Sequence, residues 1–146
     1  MSQLTTPPNT ATENIKLPAK TDSFTKLILS KYKSLLFDLT KAFGAPLHII
    51  FPDNVDKNIN QFKQVLDKKG GDYDIFYAHK ANKSESILEV CAKNNIGIDV
   101  ASTAEFVQAL KHGFSGTKIG VSGPIKNKKL LVLALQHKAL IQIDSF

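Results

Sequence analysis

A single cysteine among 146 residues excludes an internal disulfide and any zinc site built from cysteines. A chain so poor in thiols suits a reducing compartment, and a cytoplasmic location is expected. No basic start followed by an apolar segment opens the chain, so it does not read as a secretory signal. No apolar run is long enough to span a bilayer, and no membrane partner is expected. Glycine-rich phosphate loops are also missing. There is no G-x-G-x-x-G and no Walker A sequence, which weakens the case for a nucleotide-binding open sheet. The net charge of +6 and pI near 9.4 raise the possibility of a nucleic-acid partner. Clustered arginine and any recognition motif are lacking, however, and the lysines are scattered along the polar sides of helices. They read as solvated faces, and no nucleic acid is expected. What remains is a chain with 42% hydrophobic and 22% charged residues, enough apolar material for a packed core in one ordinary domain.

Residues 1–20 are rich in Thr, Pro and Asn with few large apolar side chains, and read as a disordered tail. Residues 21–43 predict one helix. Thr21-Asp22-Ser23 offers its start, and Phe24, Leu27, Ile28, Tyr32, Leu35, Leu36, Leu39 and Phe43 recur at helical spacing before Gly44. Pro46–Phe51 predicts a short strand, within which His48 is read as packing or edge-exposed rather than as a ligand. A helix follows Pro52-Asp53-Asn54, with Val55, Ile59, Phe62, Val65 and Leu66 on its apolar side and Gly70 at its end.

From Asp74 the chain becomes regular. Strand-like runs over Asp74–His79, Gly97–Ala101, Lys118–Ser122 and Leu140–Asp144 begin about 22 residues apart, and helix-like segments separate them. Ile87, Leu88 and Cys91 mark the first of these helices, with Ser84 or Asn82 as its cap. Phe106, Val107 and Leu110 mark the second, and Leu130, Leu133 and Ala134 the third, capped by Asn127. Repeated βα units predict an α/β fold with a parallel sheet, closed as a barrel or left open. In a (β/α)₈ barrel, chemistry gathers at the carboxyl ends of the strands. Those ends carry Lys80, then Asp99 with Ala101-Ser102, then Ser122-Gly123-Pro124, then Asp144-Ser145.

The stretch Asp-Ile-Phe-Tyr-Ala-His-Lys-Ala-Asn, residues 74–82, organises the rest. Alternation puts Phe76, Ala78 and Lys80 on one face and Ile75, Tyr77 and His79 on the other. A lysine at the end of a buried strand is costly to desolvate and can serve as an amine nucleophile toward a carbonyl. An exposed lysine at a strand end is the ordinary alternative. Asp99 lies between Ile98 and Val100, so it points away from the covering helices, and Lys80 one βα unit earlier is its expected partner. Ser102 and Glu105 have the spacing of a capping box, and Cys91 falls on an apolar helix face.

Tyr77-Ala78-His79-Lys80-Ala81-Asn82, Asp99-Val100-Ala101-Ser102 with Glu105, Gly123-Pro124-Ile125-Lys126 and Asp144-Ser145 occur in an order and spacing that resembles the fold type III, alanine-racemase-like, pyridoxal 5'-phosphate (PLP)-dependent decarboxylases. Diaminopimelate, ornithine and arginine decarboxylases belong to that family. The resemblance runs over roughly Gly44–Phe146. It implies that 44–146 is the N-terminal part of a PLP-binding (β/α)₈ barrel domain, preceded by the 1–20 tail and the 21–43 helix. It further implies that Lys80 forms the internal aldimine with PLP, that Ala78 lies against the cofactor ring, and that Asp99 sits beside the lysine. The activity implied is decarboxylation of a basic or diamino acid by a homodimer. A racemase of the same fold and a catalytically inactive homologue that binds an active enzyme are the alternatives. Two features depart from the family pattern. His79 stands where an aliphatic residue is usual. Four strands are visible where a barrel needs eight, so the chain reads as a fragment of a longer enzyme.

Overall fold

The structure is a computed structural model and describes residues 21–144; the tail expected over 1–20, and Ser145, lie outside the described residues. The described residues fall into two compact units, one ending at Ile49 and the other beginning at Ile50.

The first unit holds two helices where the sequence predicts one. Helix α1 spans Ser23–Lys31 and α2 spans Lys33–Phe43. Asp22 caps α1, accepting from the Thr25 N–H at 2.9 Å and the Thr25 hydroxyl at 2.6 Å. The break falls at Tyr32, whose ψ of 21° leaves the helical region. The flanking bonds, Tyr32 N–H to Ile28 and Leu36 N–H to Tyr32, survive. No proline or glycine marks the break, so the apolar spacing ran through it undisturbed. Gly44 ends α2 at a φ of 88°, where a side chain would be strained. Residues 46–51, expected as a strand, form none, because β propensity depends on its surroundings.

In the second unit, α3 runs from Pro52 to Lys69, with proline in the first turn, where its missing N–H is not needed. Four short strands follow: β1 Phe76–Ala78, β2 Gly97–Val100, β3 Ile119–Val121 and β4 Leu140–Ile141. Helices α4 (Glu85–Lys93), α5 (Thr103–Lys111) and α6 (Lys128–Gln136) alternate with them. The strands pair in parallel in the order β1-β2-β3-β4, as the repeat spacing predicts. This sequential order is that of a partial barrel, without the reversal of a doubly wound sheet. The strands are shorter than expected because the chain leaves the ladder early, most visibly at His79, where a 3₁₀ turn begins.

The core lies between the sheet and α4–α6. Ile98, Val100, Ile119 and Val121 are buried to 1% exposure or less, together with Ile87, Leu88, Cys91, Phe106, Leu130 and Ala134. Burial pushes the Cys91 thiol up to about 11, confirming it as packing material. Asn94 ties the end of α4 to α3: it donates to Asp56 at 2.7 Å, and its carbonyl accepts from Lys63 at 2.5 Å. No helix among the described residues is long and apolar enough to cross a membrane.

Candidate functional site

Within the second unit, α4–α6 leave the opposite face of the sheet uncovered among the described residues. Phe76 and Ala78 of β1, Asp99 of β2, Gly120 of β3 and Leu140 of β4, with Gln142 just beyond, line an open cavity of about 450 Å³. Two glycines shape its floor. A β-carbon on Gly97 would strike the Phe76 ring, whereas one on Gly120 would meet the same ring at 3.5 Å, an ordinary contact. Gly97 must lack a side chain for the aromatic ring to lie across the sheet as it does.

Asp99 and Ala78 are register partners, so the two expected cofactor-side residues sit side by side. The Asp99 carboxylate is half-buried, and it accepts a 2.7 Å hydrogen bond from the Ser122 hydroxyl. Ser122, just past β3, is therefore its partner in place of Lys80. The expected Asp99–Lys80 ion pair is not formed, because the chain turns before Lys80 can continue the strand.

Lys80 occupies the middle of the 3₁₀ turn His79–Ala81 and is exposed, not buried. The turn is held on its far side by Asn82, whose side-chain carbonyl accepts from the Ser84 N–H at 3.0 Å. This local bond replaces the side-chain cap expected on α4, since the Ser84 hydroxyl bonds to Ser86 instead. Among the described residues, neither a hydrogen bond nor an ion pair engages the Lys80 ammonium. Lys126 differs. Its side chain is only 11% exposed, and it donates to the Gly123 carbonyl at 2.5 Å and to Asp144 at 2.8 Å.

Behind the Lys80 turn lies a second polar group. The Ser102 hydroxyl accepts from the Glu105 N–H at 3.3 Å, the expected first half of a capping box. The Glu105 carboxylate reaches one residue further than the motif requires and accepts from the Ala101 N–H at 2.8 Å. Its other oxygen meets the Lys83 ammonium at 2.7 Å. Burial alone would raise the Glu105 carboxyl, but the Ala101 N–H, Lys83 and the nearby His79 outweigh it and hold it below the ordinary carboxylate value. His79 is fully buried, and neither ring nitrogen has a hydrogen-bond partner. Its outward parity was legible in the alternation of the strand; the convergence of Lys83 and Glu105 beside it was not, because it depends on how tightly the 79–84 turn folds back. Among the described residues, no group of three or more His, Cys, Asp or Glu is arranged to hold a metal ion.

The family model of the pyridoxal-dependent decarboxylase, pyridoxal binding domain, matches residues 53–146. The chain belongs to that family. It is 33% identical over 129 residues to a Sinorhizobium fredii protein called uncharacterized protein y4yA, covering 88% of this chain and 28% of that one. It is 34% identical over 108 residues to the diaminopimelate decarboxylase of Campylobacter jejuni, covering 73% of this chain and 26% of that one. Among solved structures, the lysine decarboxylase of Selenomonas ruminantium superimposes with a TM-score of 0.64 at 25% identity, over 73% of this chain and 28% of that one. The chain thus spans little more than a quarter of the length of these relatives. The fold is the N-terminal portion of the pyridoxal-binding barrel, as the motif order implies.

Proposed function

We propose that this chain supplies the lysine-bearing half of the active site of a PLP-dependent decarboxylase acting on a basic or diamino acid, and that Lys80 is the amine that holds the cofactor. The observation that carries this reading is the contrast between two lysines at the same edge of the sheet. Lys126 is tied to Asp144 and Gly123, while the Lys80 ammonium is exposed and unengaged at the end of β1. A nucleophilic amine must be accessible and not locked into an ion pair. The residues beside it also fit an aromatic cofactor: Ala78 is small, Gly120 offers no side chain, and Phe76 forms an apolar wall.

When bound, PLP supplies an electron sink for the electron pair left as carbon dioxide departs. The chain's own residues then have separable duties. Lys80 holds the cofactor by its amine. Asp99, kept in one orientation by the Ser122 hydroxyl, presents its carboxylate beside Ala78 and balances positive charge there. Phe76 excludes water from the strand side of the cavity. The N-termini of α5 and α6 are capped by the Ser102 and Asn127 side chains, so neither offers a free cradle for the cofactor's phosphate. Four strands of an eight-stranded barrel leave the cavity open, so residues 1–146 by themselves are expected to bind PLP weakly and to turn over no substrate; tight one-to-one binding, seen as a visible absorbance band, would overturn this. The enzyme is read as a cytoplasmic homodimer with a small amino acid as substrate.

Borohydride reduction of the complete polypeptide in the presence of PLP, followed by peptide mapping, tests the assignment. Label on Lys80 alone is expected. Label on Lys126 would move the site, and absence of label from any lysine would favour an inactive homologue.

A further inference from the structure

Among the described residues, His79 is the one fully buried side chain whose polar atoms are left without partners. It precedes Lys80 directly and begins the 3₁₀ turn that presents it. A buried imidazole with two unpaired nitrogens is an expensive choice for packing alone, since an aliphatic side chain would fill the space without that cost. Three groups act on it electrostatically: Glu105 from α5, His112 at the C-terminal cap of that helix, and Lys83 from the segment just past its own turn. His112 is held in place by its ring Nδ1 against the Gln108 carbonyl at 2.9 Å. Glu105 is the only one of the three that would attract a charged imidazole. Its two oxygens already have partners, the Lys83 ammonium and the Ala101 N–H.

We propose that His79 is an acid-sensitive positioning residue for the turn that carries Lys80. Neutral, it packs beneath the turn and leaves the Glu105 carboxylate to Lys83 and Ala101. Protonated, it competes for that carboxylate, and both contacts loosen. One of them anchors Lys83, three residues beyond Lys80. The other anchors Ala101, two residues beyond Asp99. A single proton taken up behind the sheet therefore relaxes both sides of the candidate site together. Burial disfavours the charged ring and outweighs the attraction of Glu105, so His79 protonates below the ordinary imidazole range. The loosening belongs to mildly acid conditions, below pH of about 6.5. The inference uses only the position of Lys80 and is independent of the cofactor.

The test is amide hydrogen exchange of the complete polypeptide without PLP at pH 7.5 and 5.5, corrected for the intrinsic pH dependence of exchange. In the wild type, the amides of 79–84 and Ala101 should open more at the lower pH, by up to about tenfold, because pH 5.5 lies about one unit below the ordinary imidazole value. In His79→Leu their protection should be the same at both values. Parallel pH dependence in the two proteins would overturn the proposal. Should His79→Leu not fold, site-assigned imidazole and amide resonances of the wild type decide the matter. The Ala101 amide should shift in step with the His79 ring and not with that of His112. An Ala101 amide indifferent to the titration of His79 would also overturn it.

Discussion

The two faces of the four-stranded sheet are made by the same strands, residue by alternate residue, yet they differ in almost every physical respect. One face presents Ile98, Val100, Ile119 and Val121, each buried to 1% exposure or less against α4–α6. The other presents Ala78, Asp99 and Gly120 around an open cavity, crossed by the ring of Phe76. A one-residue step along a strand moves a side chain from the packed face to the open one. The division teaches that stability and chemistry can be assigned to different parities of one element. A substitution on either face should reveal which it serves.

The largest expected effect is on the open side. Lys80→Ala should abolish cofactor labelling and carbon dioxide release in the complete enzyme, while its denaturation midpoint moves by no more than about 0.5 kcal/mol, as for an exposed residue. A large loss of stability would show that Lys80 belongs to the packing instead. Next comes the packed side. Phe106 is fully buried, and Phe106→Ala should cost about 3–5 kcal/mol by urea denaturation, with borohydride labelling of Lys80 retained wherever the protein remains folded. Gly97→Val tests the boundary between the faces. Its side chain must displace the Phe76 ring, and a loss of about 1–3 kcal/mol is expected; an unchanged midpoint would mean that the ring moves freely.

The smallest effect concerns Glu105. Its carboxyl is held below the ordinary value in the folded protein, so its stabilising contribution is fully present above pH of about 4.5 and is lost as pH falls through the folded-state value. Glu105→Gln should lower the midpoint by about 1 kcal/mol at pH 7 and flatten the acid limb of a stability–pH curve. His79 acts in the same sense, beginning at higher pH. Its neutral form is favoured by folding, so the native state loses stability as pH falls below about 6.5, levelling off once its folded-state value is passed. The two limbs begin at different pH, and Glu105→Gln and His79→Leu each remove one of them.

Much of this division could be read before any coordinates. The repeat of βα units, the parity of Ile98, Asp99 and Val100, and the capping residues Ser102 and Asn127 follow from local rules that the fold obeys. The strand ends were less legible. Lys80 looked like a strand residue facing Asp99, but a turn held by Asn82 lifts it into solvent, and Ser122 takes its place. Pro46–Phe51 carried β-type residues yet forms no strand, which no local pattern reveals. The break at Tyr32 has no residue type to announce it. The link from Lys83 to Glu105 joins positions in different βα units, and sequence spacing says nothing of how close such side chains come.

The lone thiol of the chain gives this molecule a built-in clock. Cys91 sits wholly enclosed in α4, and with its ionisation pushed up to about 11, only about one molecule in a thousand would carry a thiolate at pH 8 even if a reagent could reach it. A thiol-specific dye added to the folded protein therefore waits for the α4 layer to part from the sheet. The rate at which colour develops counts those partings directly, with no label to introduce and no competing thiol to subtract.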